Sequence, residues 1–315
     1  MSQKELKKNG YFHGGPSDVA SIFFINTVRE QDKKRAGNKN GEHNNYYNIL
    51  EPVSPQNVDP NAVLEQIEIG ELDTIQLFLV DALKKQSTIQ TSLTEDEIAK
   101  ALTVREAYRS YKKTPRFNNC LSHLRRQRRQ GVSAEEARGR FAGKVFEDIG
   151  YYYYRPRVRE GILISPEITE ELFLNFFEKD CKINHEYGSR TIYGVSVPDG
   201  VVIEVTNGQP VLTQFVEYSL SQNDEKYQNK FSAYQMSIEN IRHRSSHAVC
   251  PNNEFIVNFV VPSPQWDRQY PNLVGSVQCV FHILPFDVRN FGSQINEIIA
   301  EEFNLSFAAR SRSRF

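Results

Sequence analysis

Several things this sequence lacks restrict what it can be. Its four cysteines, at positions 120, 181, 250 and 279, stand far apart. They form no Cys-x-x-Cys pair and no Cys/His cluster, which argues against a zinc site. Isolated cysteines behind a start, "MSQKELKKNG", that has no apolar segment are what a reducing compartment permits, so the expected location is the cytoplasm. No run reaches the roughly 18 apolar residues that cross a bilayer, and no membrane partner is expected. No internal repeat, no glycine-rich phosphate loop and no Ser/His/Asp signature is present; "NGYFHGG" lacks the lysine and spacing of a P-loop. His243 and His247 are four apart, but Arg242 and Arg244 beside the first repel a cation. The net charge of −1 names no partner by itself.

What is present is a globular composition. Hydrophobic residues make up 39% of the 315 and charged residues 24%, enough for a buried core. Residues 1–60 contain the polar, Asn/Gly/Pro-rich run 31–60 and read as an N-terminal segment and linker. Residues 61–132 carry helical spacing, with a break near Gly70 and a capping box at Thr94 and Glu97. A second box, Ser133 with Glu136, opens a helix at the start of a third region, 133–305. In that region "YYYYRPRVREGILI" reads as strand, "SPEITEELFLNFFEKD" as a helix capped by Ser165, and "NDEKYQNKFSAYQMSIENIRHR" as another helix. "EFIVNFVVP" and "GSVQCVFHIL" read as buried strands and "SQINEIIAEEF" as a last helix. A basic tail, 306–315, follows. Strands interleaved with helices predict an α/β (α+β) fold, a mixed β-sheet flanked by helices, with a mainly helical N-terminal region.

The most informative stretch is "VPDGVVIEVTNGQPVLTQFVEYSLSQ", residues 197–222. Asn207-Gly208 is a two-residue turn signal, because both central positions of a type I′ turn need positive φ. A two-residue loop places Asp199 opposite Val216; a three-residue loop places it opposite Glu217. Either register leaves the two acids within one rung, where paired Cβ atoms are ~4.5–5.5 Å apart. Two such carboxylates repel unless a cation lies between them or water surrounds them. Mg²⁺ accepts one or two carboxylates together with water and phosphate oxygens.

Pro198-Asp199, the hairpin, and Glu217-Tyr218-Ser219 on its second strand resemble the PD-(D/E)XK nuclease superfamily. Glu147, in a Phe-Glu pair on an upstream helix, matches the setting of that family's upstream acid. The resemblance spans about residues 133–285, and the order helix, strand, helix, hairpin, helix, strand agrees with the family core. It implies a restriction-endonuclease-like core in which Asp199, Glu217 and the backbone carbonyl of Tyr218 hold Mg²⁺, with Glu147 assisting. A divalent ion there lowers the pKa of water and neutralises charge on a phosphodiester. This chain departs from the pattern at Ser219, which stands where the family has lysine. Lys226 and Lys230, four apart on the next helix and therefore on one face, are the candidates for a displaced lysine, with Lys230 preferred beside Phe231 and before Tyr234. The alternative is a nuclease fold that keeps DNA binding and has lost hydrolysis.

A local charge surplus points to a polyanion. Residues 105–159 hold fifteen Lys and Arg against five Asp and Glu, a surplus of ten. Arg125, Arg126, Arg128 and Arg129 in "LSHLRRQRRQG", with Lys112 and Lys113, are candidate phosphate contacts. Tyr108 and Tyr111 either stack on bases or pack. The expected activity is Mg²⁺-dependent endodeoxyribonuclease, of restriction or mobile-element type, on double-stranded DNA. A homodimer would serve a palindromic target. The remaining alternative is an α/β interaction protein whose hairpin acids face water.

Overall fold

The computed structural model describes residues 11–13, 45–50, 58–89, 93–101, 104–176, 183–184, 191–192, 195–219, 224–249, 255–261 and 277–283. Its centre is a seven-stranded mixed sheet. In chain order the strands of that sheet are β1 (Tyr11–His13), β2 (Asn45–Ile49), β3 (Ile162–Ile164), β7 (Gly200–Thr206), β8 (Gln209–Tyr218), β9 (Phe255–Val261) and β10 (Val277–Ile283). Between β3 and β7, the short strands β4 (Ile183–Asn184), β5 (Thr191–Ile192) and β6 (Val195–Ser196) form a separate antiparallel ribbon. Across the main sheet the order is β1-β2-β10-β9-β8-β7-β3. The β3–β7 and β7–β8 pairs are antiparallel, and the pairs from β8 through β9, β10 and β2 to β1 are parallel.

Helices cover both faces of this sheet. They are α1 (Pro60–Leu64), α2 (Thr74–Ser87), α3 (Leu93–Lys100), α4 (Val104–Tyr111), α5 (Pro115–Arg129), α6 (Ala134–Tyr154), α7 (Pro166–Phe176) and α8 (Asp224–Arg244). Strand residues alternate between two cores with period two. Ile162, Ile164, Val201, Ile203, Phe215, Phe259 and Val261 face one core, which α1, α2, α7 and α8 complete. Leu163, Val202, Val216, Tyr218 and Val260 face the other, completed by α3 to α6. Helices from the 61–132 region therefore pack on both sides of the sheet that carries the hairpin. Among the described residues no helix is long and apolar enough to cross a membrane.

Local signals account for many boundaries. Asp73 caps α2 with a full capping box to Gln76, and the 3₁₀ turn Ile69–Glu71 separates α1 from α2 at the expected break. Ser133 caps α6, its hydroxyl accepting the Glu136 N–H at 3.1 Å. Helix α7 begins at Pro166, but the Ser165 hydroxyl caps nothing among the described residues; its amide instead donates to Gln86 Oε1 at 2.8 Å. Helices α7 and α8 and strands β9 and β10 fall where the apolar pattern puts them.

Three further expectations are corrected. Tyr151–Tyr154 do not form a strand: they are the last turn of α6, and the strand is only Ile162–Ile164. All four tyrosines are buried in the helical core, so packing outweighs their β propensity. Residues 45–49 are not linker but strand β2, held in register by parallel β10. Thr94 does not cap, because α3 already starts at Leu93; the Glu97 carboxylate instead accepts the Ser110 hydroxyl and the Lys113 ammonium, both at 3.1 Å. The helix expected at "SQINEIIAEEF" and the basic tail lie outside the described residues.

Candidate active site

The hairpin turns at Asn207 and Gly208, with φ of 51° and 75°, the left-handed pair of a type I′ loop. From the turn the rungs run Thr206–Gln209 to Ile203–Leu212, the two-residue-loop register. The next rungs are Val202–Gln214, Val201–Phe215 and Gly200–Val216, shifted by one. Thr213 is the extra residue of a β-bulge, and its hydroxyl donates to Glu204 Oε1 at 2.6 Å. Both registers weighed from the sequence thus occur, one on each side of the bulge.

The bulge has a packing cause and a chemical effect. Leu212 and Phe215, three residues apart, face the same core, which strict alternation forbids. The inserted residue resets the phase, so Glu217 shares the Phe215 face and the rung beyond Gly200–Val216 brings Asp199 level with Glu217. Asp199 Oδ2 accepts the Tyr218 N–H at 2.9 Å, which ties the start of one strand to the end of the other.

Glu217 is only 4% exposed, and both of its oxygens are held from α8. Lys230 Nζ forms an ion pair with Oε1, and the Tyr234 hydroxyl donates to Oε2. These two residues are one helical turn apart and so reach the same target. The Tyr234 ring is fixed against Phe215 at 5.4 Å between centroids, and Phe215 in turn meets Phe173 and Phe255. Burial draws the Lys230 pKa below its ordinary value, against the opposing pull of Asp199 and Glu147. Lys226 lies on α8, but its side chain is outside the described residues.

Glu147 arrives on α6 from the opposite core. At Gly150, one turn further along, an added Cβ would stand 2.6 Å from the Tyr218 ring, so glycine lets α6 close onto β8. Burial, then the charge of Asp199, push the Glu147 pKa up to about 8. Lys144, three residues earlier on α6, forms an ion pair with Glu147. Burial works against the Lys144 ammonium, but Glu147, Asp148 and Asp199 together hold its pKa above the ordinary value. Tyr234 and Lys144 were not foreseen from the sequence. The signal for each was helical spacing from a residue already singled out, Lys230 and Glu147.

Hard oxygen donors suit a hard cation, and Asp199, Glu217 and the Tyr218 carbonyl are such donors. Among the described residues no group of three His, Cys, Asp or Glu side chains closes around one position, so an ion here would rest on two carboxylates and a backbone carbonyl.

The basic stretch divides into interior and surface charges. Arg116 lies over the Tyr151 and Tyr152 rings at 5.3 and 5.5 Å and pairs with Asp148 and Glu167. Arg155 pairs with Glu95 at 2.9 Å, and Arg157 is buried over the Tyr153 ring. Tyr108 and Tyr111 are buried, so they pack and are not available to bases. Lys113 is an exposed residue paired with Glu97 at 3.1 Å, and the exposed Lys112 lies 5.3 Å from the Tyr108 ring centroid. Arg125, Arg126 and Arg129 are exposed on α5; the side chain of Arg128 is outside the described residues. No family model matches the chain, and no curated protein or solved structure is significantly similar to it.

Proposed function

We propose that the chain is a Mg²⁺-dependent endodeoxyribonuclease with a restriction-endonuclease-like core, formed by α6, β3, the β7–β8 hairpin, α8 and β9. One observation carries the reading. The lysine missing at Ser219 has a counterpart in Lys230, whose ammonium reaches the Glu217 carboxylate from α8. The strand pairings support it, because β3, β7 and β8 are antiparallel neighbours and β9, after a crossover helix, adds parallel to β8.

In this reading Asp199, Glu217 and the Tyr218 carbonyl hold the ion. The Tyr218 N–H holds Asp199 by its Oδ2. Tyr234 fixes the rotamer of Glu217. Bound Mg²⁺ supplies an activated water and charge neutralisation at the phosphodiester. Lys230 places a positive charge where the transition state gains negative charge. Glu147, reaching the hairpin acids from α6, is the assisting acid. Exposed arginines on α5 contact the DNA backbone and add no base reading of their own.

A specific observation favours a second reading, a DNA-binding protein on a nuclease fold without hydrolysis: both Glu217 oxygens already have partners. Incubation with supercoiled and linear DNA, with Mg²⁺ or EDTA, separates the two. The nuclease reading expects nicking or linearisation with Mg²⁺ only, abolished in Asp199→Asn, with DNA affinity nearly kept. An Asp199→Asn protein that cuts like the wild type rules out this site. A wild type that binds DNA and never cuts it leaves the second reading.

A further inference from the structure

Helices α4 and α5 are joined by three residues, Lys112, Lys113 and Thr114. The Lys113 and Thr114 N–H groups donate to the Ser110 and Tyr111 carbonyls at 3.0 and 2.9 Å. The Thr114 hydroxyl accepts the Phe117 N–H at 3.4 Å, and Pro115 fills the first helical position of α5. Phe117 meets Tyr108 and Tyr111 edge to face, at 5.9 and 5.5 Å between centroids. Tyr111 also donates to Asp148 of α6 at 2.5 Å. Two helices locked across a three-residue turn and backed by a third are the layout of a helix-turn-helix.

The outer face of α5 suits a polyanion that carries readable edges. Phe117, Cys120, Leu124 and Gln127 are buried, and the opposite side exposes Asn118, Ser122, Arg125 and Arg129. Spaced by four, three and four residues, these four form one stripe along a 15-residue helix without an acid. Asn119 is exposed beside them. Ser122 returns its hydroxyl to the Asn118 carbonyl at 2.9 Å, and Arg126 turns back to His123 Nδ1 at 2.8 Å. The side chains of Asn118, Asn119, Arg125 and Arg129 have no hydrogen-bond or ion-pair partner among the described residues. The helix dipole favours cations near its C-terminal end, which accounts for the arginines. It does not account for two adjacent asparagines near the start, a poor helix-forming type.

We propose that α5 is a reading helix for double-stranded DNA: Asn118 and Asn119, in its first half, face base edges in the major groove, and Arg125 and Arg129 hold flanking phosphates. An asparagine amide offers the donor and acceptor that match the N6 and N7 edge of adenine, and the first residues of such a helix are those that meet bases. Helix α4 crosses the backbone and presents its exposed Arg105 and Arg109 to it. The major groove of B-form DNA admits a helix, whereas that of A-form RNA does not. The inference rests on the DNA partner of the nuclease reading and adds sequence recognition to it. No metal and no residue of the candidate active site enters it.

The test is selection from a random duplex library by the whole chain in EDTA, followed by titration of the enriched duplex and a scrambled one. Wild type enriches an adenine-containing sequence and binds it more tightly than the scrambled duplex. Asn118→Ala/Asn119→Ala loses on the order of tenfold of that preference, at an unchanged salt slope and melting temperature. Arg125→Ala/Arg129→Ala weakens both duplexes alike and lowers the slope by about two phosphate contacts. A wild type that binds DNA without enriching any sequence overturns the inference and leaves the nuclease reading standing, and so does an asparagine variant that keeps the full preference. Tighter binding to an RNA hairpin than to the enriched duplex assigns the surface to RNA and overturns it as well. A wild type that binds no DNA overturns the inference and the nuclease reading together.

Discussion

A lysine four positions from a tyrosine is unremarkable on a surface helix. On α8 the pair decides the state of a buried carboxylate, because Glu217 has no solvent to offset its charge. Lys230 neutralises it and Tyr234 orients it. Removing the ammonium therefore tests the displaced-lysine assignment directly. Lys230→Ala is expected to lower the single-turnover cleavage rate by roughly 10²–10³-fold, the range for losing one preorganised charge-stabilising group. DNA affinity should change little, and a melting curve recorded alongside separates lost chemistry from lost fold. Lys226→Ala should remain within a few-fold of wild type; if it is the inactive variant instead, the displaced lysine has been assigned to the wrong position.

Among the elements, the hairpin and α6 together place the acids. Gly150 is where they meet, since a Cβ there would stand 2.6 Å from the Tyr218 ring. Gly150→Ala should cost about 1–3 kcal/mol in urea denaturation, the usual range for overpacking. By moving Glu147 off the hairpin it should also depress cleavage more than binding; an alanine variant of unchanged stability would mean that α6 has room to spare. The turn of this hairpin was legible in the sequence because Asn-Gly has a local backbone cause. The bulge at Thr213 was not, because it arises from two cores, each claiming its own side chains from one strand. The same limit explains the other misreadings. Tyr151–Tyr154 follow the helix they end, and the polar "NYYNI" becomes a strand only because β10 lies beside it. Of the candidate site, Asp199, Glu217, Glu147 and Lys230 could be singled out by resemblance and spacing. Lys144 and Tyr234 emerged only once helices and sheet were in contact.

Across the protein the sequence surplus of positive charge overstates what DNA would meet. Arg116, Arg155 and Arg157 are held by acids, carbonyls and aromatic rings inside the helical layer. Stability has its own pH signature. With its folded pKa raised to about 8 from the usual 4.5, Glu147 binds more proton in the folded than in the unfolded state between those values. Stability must then fall as pH rises through that window. His282, buried with its pKa lowered to about 3, works the other way, but only below its ordinary 6.5. Between pH 6.5 and 8 the Glu147 effect should thus dominate these two. Urea midpoints of the metal-free protein should decline over that interval, Mg²⁺ should flatten the decline, and Glu147→Gln should abolish it; an unchanged decline in Glu147→Gln would place the proton elsewhere. The sheet order carries one more consequence. Strand β2, from early in the sequence, pairs with β10, from late in it, and β10 in turn lies on β9. During synthesis the β1–β2 pair has no sheet to join until β10 has left the ribosome, so the early strands wait apart while the rest of the sheet assembles. Maturation should consequently finish at that seam. A chain deprived of β2 would present the open β10 edge to its neighbours, and clumping rather than loss of chemistry would be its first defect.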